Sequence, residues 1–228
     1  MKNIKYTLMA LLALTIAFSS CDLELQEGFE FVPEVDLDDP FDDLTAWEWL
    51  NTRTQPNEEG GIAGESFNYM IAAIEKAGMV DEYNDPNMQE RTYLLLNNNA
   101  FNGGGDIIDI VTGSPTIEEG ATPAEVMENA DVDKLKRILQ YHIVTTYVAQ
   151  VPTLFEFNVN YIFQTLIPGD DGIIVMRRDD RYRIDINKAP APLPSSATSQ
   201  FERVRAHNYV FLNGIGHIIA DPVRNQPY

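Results

Sequence analysis

The residues of this chain best suited to chemistry are three histidines, one cysteine, a glycine triplet and two tryptophans. Leu135, Ile138, Leu139 and His142 fall at i, i+3, i+4 and i+7, so His142 belongs to an apolar helical stripe. That position predicts a core histidine hydrogen-bonded to a neighbouring strand. His217 stands among Ile215, Ile218 and Ile219 and is read the same way. His207, next to Asn208 near a strand start, is expected to be exposed. No two histidines are four apart and no His-Glu-x-x-His occurs, so the sequence supports no zinc site. Gly103-Gly104-Gly105 lacks the Gly-Lys-Ser/Thr ending of a phosphate loop, and Asp106 beside it would repel an anion. No serine sits in a nucleophile-elbow pattern. The expectation is no catalytic residue, no metal and no cofactor, with a hydrolase only a minor alternative, because a glycosidase's carboxylate separation cannot be read from sequence.

Cys21 is the only cysteine, so an internal disulfide cannot form. It follows Lys2 and Lys5, an apolar run from Tyr6 to Phe18, and the small residues Ser19 and Ser20. A charged start, a short apolar run and small residues before a cut site predict a signal peptide over 1–20. The run is shorter than the ~20 residues that span a bilayer. Phe18-Ser19-Ser20-Cys21 resembles a lipobox, which implies lipidation at Cys21 and attachment of the mature chain to a membrane through acyl chains.

Behind Cys21 the chain is acidic. From Asp22 to Glu48 there is no Lys or Arg, and Pro33 and Pro40 interrupt the run. Residues 21–44 therefore read as an extended tether with too little apolar surface to fold. Acidic residues just after the cysteine also resemble the export signal of surface-displayed lipoproteins in glycan-foraging Gram-negative bacteria, which implies an outer-membrane, surface-exposed location. The formal charge of −19 argues against nucleic acid, whose binding needs clustered cations. Trp47 and Trp49 either dock on the adjoining domain or offer ring faces to a ligand, and they are the first binding candidates.

The elements that would position these groups follow. Ser66 to Gly78 reads as a helix capped by Ser66, with Phe67, Met70, Ile71 and Ile74 on one face and Gly78 at its end. Arg91 to Leu96 is β-prone and stops at Asn97-Asn98-Asn99. Thr122-Pro123-Ala124-Glu125 is a capping box with proline at the first helical position. The His142 helix follows Asp131, and Ile143 to Val148 reads as a strand. Phe155, Phe157, Val159, Tyr161 and Phe163 alternate with mostly polar residues, predicting a long strand with one apolar face. Ile173–Met176 and Tyr182–Ile186 predict a hairpin, Ala189–Gln200 a loop, and Phe201–Val223 two closing strands turning at Asn213-Gly214.

In this order the blocks resemble a fasciclin domain. The resemblance rests on Ile71 to Met79 as a helix ending in Ala-Gly and on Thr92 to Phe101 as a strand with an Ala-Phe tail. It rests also on Leu135 to Val144 running into Tyr141-His142, and on Asn213-Gly214 with His217 in the closing segment. Leu95-Leu96-Asn97 departs from the family's Phe-Ala-Pro, and the stretches 102–117 and 155–163 are longer than a minimal member. The resemblance implies an α/β (α+β) fold over 45–228, a twisted β-wedge with helices along one side. Tyr141, His142, Asn213, Gly214 and His217 would then be structural landmarks. It implies adhesion or ligand capture without catalysis. Two functions remain open: capture of a glycan or protein ligand at the cell surface as accessory to an outer-membrane nutrient transporter, or adhesion to another envelope or matrix protein. An acidic chain favours a neutral glycan or a basic protein over a polyanion.

Overall fold

The first and last long strands of the chain meet at its centre. In a computed structural model describing residues 41–54, 66–103, 106–188, 193 and 201–223, β1 (Arg91–Leu96) runs parallel to β8 (Gly214–Ile219). Arg91 lies opposite Gly214 and Leu96 opposite Ile219. All of β8, and all of β1 after Arg91, is buried. Strands covered on both faces need apolar residues at every position, which is why Tyr93-Leu94-Leu95-Leu96 shows no alternation. Antiparallel partners flank this pair, β2 (Ile143–Val144) on β1 and β7 (Ala206–Phe211) on β8, in the order β2-β1-β8-β7.

A second, wholly antiparallel sheet has the order β3-β4-β5-β6: β3 (Tyr161–Gln164), β4 (Ile173–Arg178), β5 (Ile184–Ile186) and β6 (Glu202–Arg203). Val144 bridges Thr165 between the sheets. On the other side the Val204 N–H donates to Ile184 O and the next, Arg205, to Ile218 O, so one chain segment passes from sheet to sheet. Ile174, Met176, Ile184 and Ile186 of the second sheet share one core with Leu94, Leu96 and Ile218 of the first.

Helices make up most of the remainder: α1 (Ala46–Asn51), α2 (Asn68–Ala77), α3 (Val80–Asn84), α4 (Asn98–Asn102), α5 (Ile107–Thr112), α6 (Pro123–Glu128) and α7 (Val132–Tyr141). The α6 capping box forms as its sequence predicts, Thr122 accepting from the Glu125 N–H while Glu125 reaches back to the Thr122 N–H. Asp131 caps α7 by accepting from the Asp133 and Lys134 N–H groups. Gly78 ends α2 in the left-handed region, φ 62°, where a side chain would be strained. α2 packs on α6 and α7, and the stripe Leu135, Ile138, Leu139 is fully covered, each residue contributing roughly 1.5–3 kcal/mol of burial. The fold is α+β.

Several local expectations give way. Ser66 does not cap α2; its hydroxyl accepts from Asn98 Nδ2 at 2.8 Å, and Phe67 holds the cap position with no side-chain bond. The strand from Ile143 ends at Val144, because beyond it the Val148 N–H turns to the Thr92 hydroxyl at 2.8 Å. The long strand from Phe155 shrinks to Tyr161–Gln164, with Asn158 at φ 59° breaking extended geometry before it. An uncounted helix, α1, begins at Thr45-Ala46-Trp47-Glu48, itself a complete capping box. Ordered packing starts before Thr45, since Phe41 stacks on Tyr209 at 6.1–6.2 Å from both neighbouring rings, Tyr209 and Trp49. The signal peptide, Cys21, the acidic segment as far as Pro40, Gly104, Gly105 and all of 189–200 except Leu193 lie outside the described residues.

Candidate functional site

The five landmark residues are fastenings. Asn213, fully buried, accepts from the Ala46 N–H at 2.9 Å and donates to Tyr83 O at 2.8 Å, so one side chain holds the start of α1 and the end of α3. Gly214 has φ +147°, and a Cβ there would come within 2.3 Å of Arg91 O, across the β1–β8 pairing. Tyr141 donates to Ile173 O at 2.8 Å and accepts from Asn187 at 2.9 Å, tying α7 to the second sheet. Burial pushes its phenol up to about 12.

Neither buried histidine has a free nitrogen. His142 Nε2 accepts from the Val223 N–H at 2.9 Å, so its proton sits on Nδ1, which donates to Ile138 O at 2.7 Å. Its partners are thus its own helix and the segment after β8, not the neighbouring strand that the sequence suggested. His217 is the mirror case: Nδ1 accepts from the Asn208 N–H at 3.2 Å and Nε2 donates to Val148 O at 2.8 Å. Burial pushes both imidazoles down to about 4, which keeps them neutral. A neutral ring with both nitrogens engaged is a brace, and neither offers a base to a substrate.

His217 also organises the surface above it. It holds Val148, and Asn208, at φ 64° in the β7 bulge, accepts from the Gln150 N–H at 3.0 Å. Gln150 Nε2 in turn donates to Tyr182 O and lies 3.0 Å from Nε2 of His207, which is exposed as expected. The 147–158 segment is thereby fastened to the tip of the β4–β5 hairpin.

At that tip the aromatics lie open. Arg178, only 4% exposed, sits with its guanidinium 4.4 Å from the Phe157 ring and 4.9 Å from the Tyr182 ring, and donates to Phe155 O. Phe157 and Tyr182 meet edge to face at 5.4 Å. The Asn158 N–H donates to Arg178 O at 2.7 Å, fixing the loop against the strand end. Phe155 is 67%, Tyr182 55% and Phe157 45% exposed, with Val151 beside Gln150 nearly half exposed too. The arrangement sets the ring faces of Phe157 and Tyr182 around a clamped cation. No motif in the sequence marks it; the only trace is the apolar alternation through Phe155 and Phe157, whose face the fold leaves in solvent.

Trp47 and Trp49 are placed differently from this tip. Trp49 is 1% exposed, packed at 5.1–5.4 Å from Tyr209, Phe67 and Phe211. Trp47 is half-buried against the same core. Trp49 therefore has no ring face to present, and of the two only Trp47 retains surface. Among the described residues no group of three or more His, Cys, Asp or Glu could hold a metal ion.

Two sheets fastened through buried Asn, His and Tyr, together with the helices, define an α+β domain. Among solved structures the chain is similar to a FAS1 domain pair from the insect cell adhesion molecule fasciclin I, with TM-score 0.51 and 13% identity, over 80% of this chain and 51% of that one. The domain thus has a fasciclin-like fold, and the chain spans about half the length of that structure. No protein-family model matches the chain, and no curated protein matches it.

Proposed function

We propose that the chain is a non-enzymatic cell-surface module for adhesion or ligand capture, held to the outer membrane through lipid on Cys21, with the aromatic tip as its contact surface. The observation that carries this reading is the pair Phe157 and Tyr182, rings left largely in solvent yet held by the Arg178 guanidinium and by each other, with the exposed Phe155 beside them fastened through its carbonyl. Rigid rings bind with little ordering cost, and the faces that Phe157 and Tyr182 leave in water are open to a partner. The fold of a domain from an adhesion molecule and the lipobox-like leader support the same reading. Capture of a glycan or protein for a nutrient transporter is the finer form of it, since aromatic faces stack on sugar rings as well as on peptide side chains.

The test is attachment of cells displaying the chain to arrayed glycans and envelope proteins. The triple variant Phe155→Ser, Phe157→Ser, Tyr182→Ser is expected to lose attachment at unchanged surface level; attachment equal to wild type would remove the tip from the proposal. For the anchor, Cys21→Ala should abolish both palmitate labelling and membrane fractionation. Equal labelling of the two chains would end the lipoprotein assignment.

A further inference from the structure

The second sheet carries a cluster of charges on one face, beside Val175, which Leu193 covers. Arg177, Asp185 and Arg203 form one row across β4, β5 and β6, on the face opposite Met176, Ile184 and Ile186. Asp185 is fully buried, and three cations converge on it: Arg203 Nε at 2.8 Å, Lys188 Nζ at 3.2 Å and Arg177 Nη2 at 3.6 Å. Burial would raise the Asp185 carboxyl, but the hydrogen bonds and charges of Arg203 and Lys188 outweigh it and hold the group below its ordinary value. One carboxylate balances one cation. Among the described residues no other carboxylate lies at ion-pair distance from these three, although Asp179 and Glu202 act on Arg203 at longer range, so the cations outnumber the carboxylate they directly contact.

Three further observations point outward from that excess. Arg177 Nε is buried and has no hydrogen-bond partner, a costly state for a charged donor. The side chains of Lys188 and Arg203 are more than a third exposed, so the cations are reachable. Between Ile173 and Arg205, Lys and Arg outnumber Asp and Glu by seven to four, in a chain whose net charge is −19. Beside the cations lies a ring: Phe201, 48% exposed, has Lys188 Nζ 5.4 Å from its centroid.

We infer that this row is a binding site for the carboxylate of an acidic sugar, a uronic acid residue, with Arg177, Lys188 and Arg203 taking the carboxylate and Phe201 taking a face of the sugar ring. Guanidinium groups match a carboxylate in two-point geometry, and the ammonium adds a point charge. Asp185 holds the cations in place and stays ionised beneath them. The net negative charge of the chain opposes a dense polyanion at long range, whereas one carboxylate reaching the row meets a local surplus of positive charge. The choice of a sugar rests on the capture reading above; the site for a carboxylate does not.

The test follows the arginine side-chain Nε–H signals of the full chain by NMR during titration with sodium glucuronate, glucose, sodium acetate and a glutamate-rich peptide. Glucuronate is expected to shift the Arg177 and Arg203 signals saturably, glucose not at all, and acetate at least fivefold more weakly. Lys188→Gln and Arg203→Gln, each leaving two cations on Asp185, should weaken glucuronate at least fivefold with thermal melts showing both variants folded. Phe201→Ala should bring glucuronate down to the level of acetate. Absence of a glucuronate shift in wild type, equal binding of acetate and glucuronate, or tighter binding of the peptide would each overturn the inference. Loss of the tip proposal shows instead as unchanged attachment of the Phe155, Phe157, Tyr182 variant, which leaves the titration untouched.

Discussion

Two aromatic clusters of similar make-up lie in this domain, and they differ in what covers them. At one, Phe41, Trp49, Phe67, Tyr209 and Phe211 meet ring against ring, and Trp49 and Phe67 are out of water. At the other, Phe157 and Tyr182 flank the Arg178 guanidinium with Phe155 beside them, all three exposed. Residue type does not separate them. The first is closed because the capped helix α1 is fastened by Asn213 over β7 and β8, which brings partners from four parts of the chain. Among the described residues no element packs over the second: left-handed residues Asn158 and Tyr182 turn the chain back at the tip, and the rings remain exposed. The covered cluster holds the fold, and the uncovered one is the contact surface proposed above.

Breaking the covered cluster should have the largest effect. Trp49→Ala is expected to cost about 3–5 kcal/mol in denaturant melts. Trp49→Phe should cost much less, because the indole N–H is buried without a partner and its loss removes no bond. A small loss in Trp49→Ala would mean that the cluster is not part of the core.

Next comes His142→Ala, which leaves the Val223 N–H without its acceptor and a cavity at the end of α7; about 1–3 kcal/mol should be lost. An unchanged melt would return His142 to the functional candidates.

The same histidines set a pH dependence. Their folded values of about 4 lie below the ordinary 6.5, so between these the unfolded chain binds more protons. Stability from them is complete above pH 6.5 and is lost as pH falls towards 4, by about 1.4 kcal/mol per pH unit for each ring over the steep part. Glu202 acts in the opposite sense. Burial and the nearby Asp221 push its carboxyl up to about 7, so its contribution is present below its ordinary 4.5 and lost as pH rises through 7. Glu202→Gln should therefore gain stability relative to wild type at pH 8 and little at pH 4. Melts across pH 4–8 check both slopes, and in the double variant His142→Ala, His217→Ala the histidine slope should vanish while the opposite slope of Glu202 remains.

The smallest effect is expected where attachment should suffer most. Serine at Phe155, Phe157 and Tyr182 removes exposed rings and the contacts with Arg178, a change of about 1 kcal/mol or less in the melt. A large loss of stability would show that the tip is a second core, and the contrast between the clusters would collapse.

Legibility in the sequence followed the range of the interactions. Thr122 to Glu125, Asp131 to His142 and Arg91 to Leu96 were readable because caps, stripes and apolar runs act over a few residues. The same signal at Thr45 to Glu48 went unread beside an acidic segment, although its Thr and Glu form a capping box as complete as that of α6. Alternation through Phe155 to Phe163 was real, but a strand needs a partner, and only Tyr161–Gln164 finds one in β4. The tip was illegible for a related reason. Arg178 with Phe157, and Gln150 with Tyr182, are brought together by the sheet, and no local spacing encodes such pairs.

The parallel pairing of β1 with β8 also sets a timetable. Its partners are about 120 residues apart, so the centre of the domain cannot close until nearly the last strand is available. Until then Tyr93 to Leu96 lacks half of its ladder, and the helices that precede β8 have an unfinished sheet to pack on. A pairing of this range is slow to form, because the cost of closing so long a loop comes before the contacts that repay it.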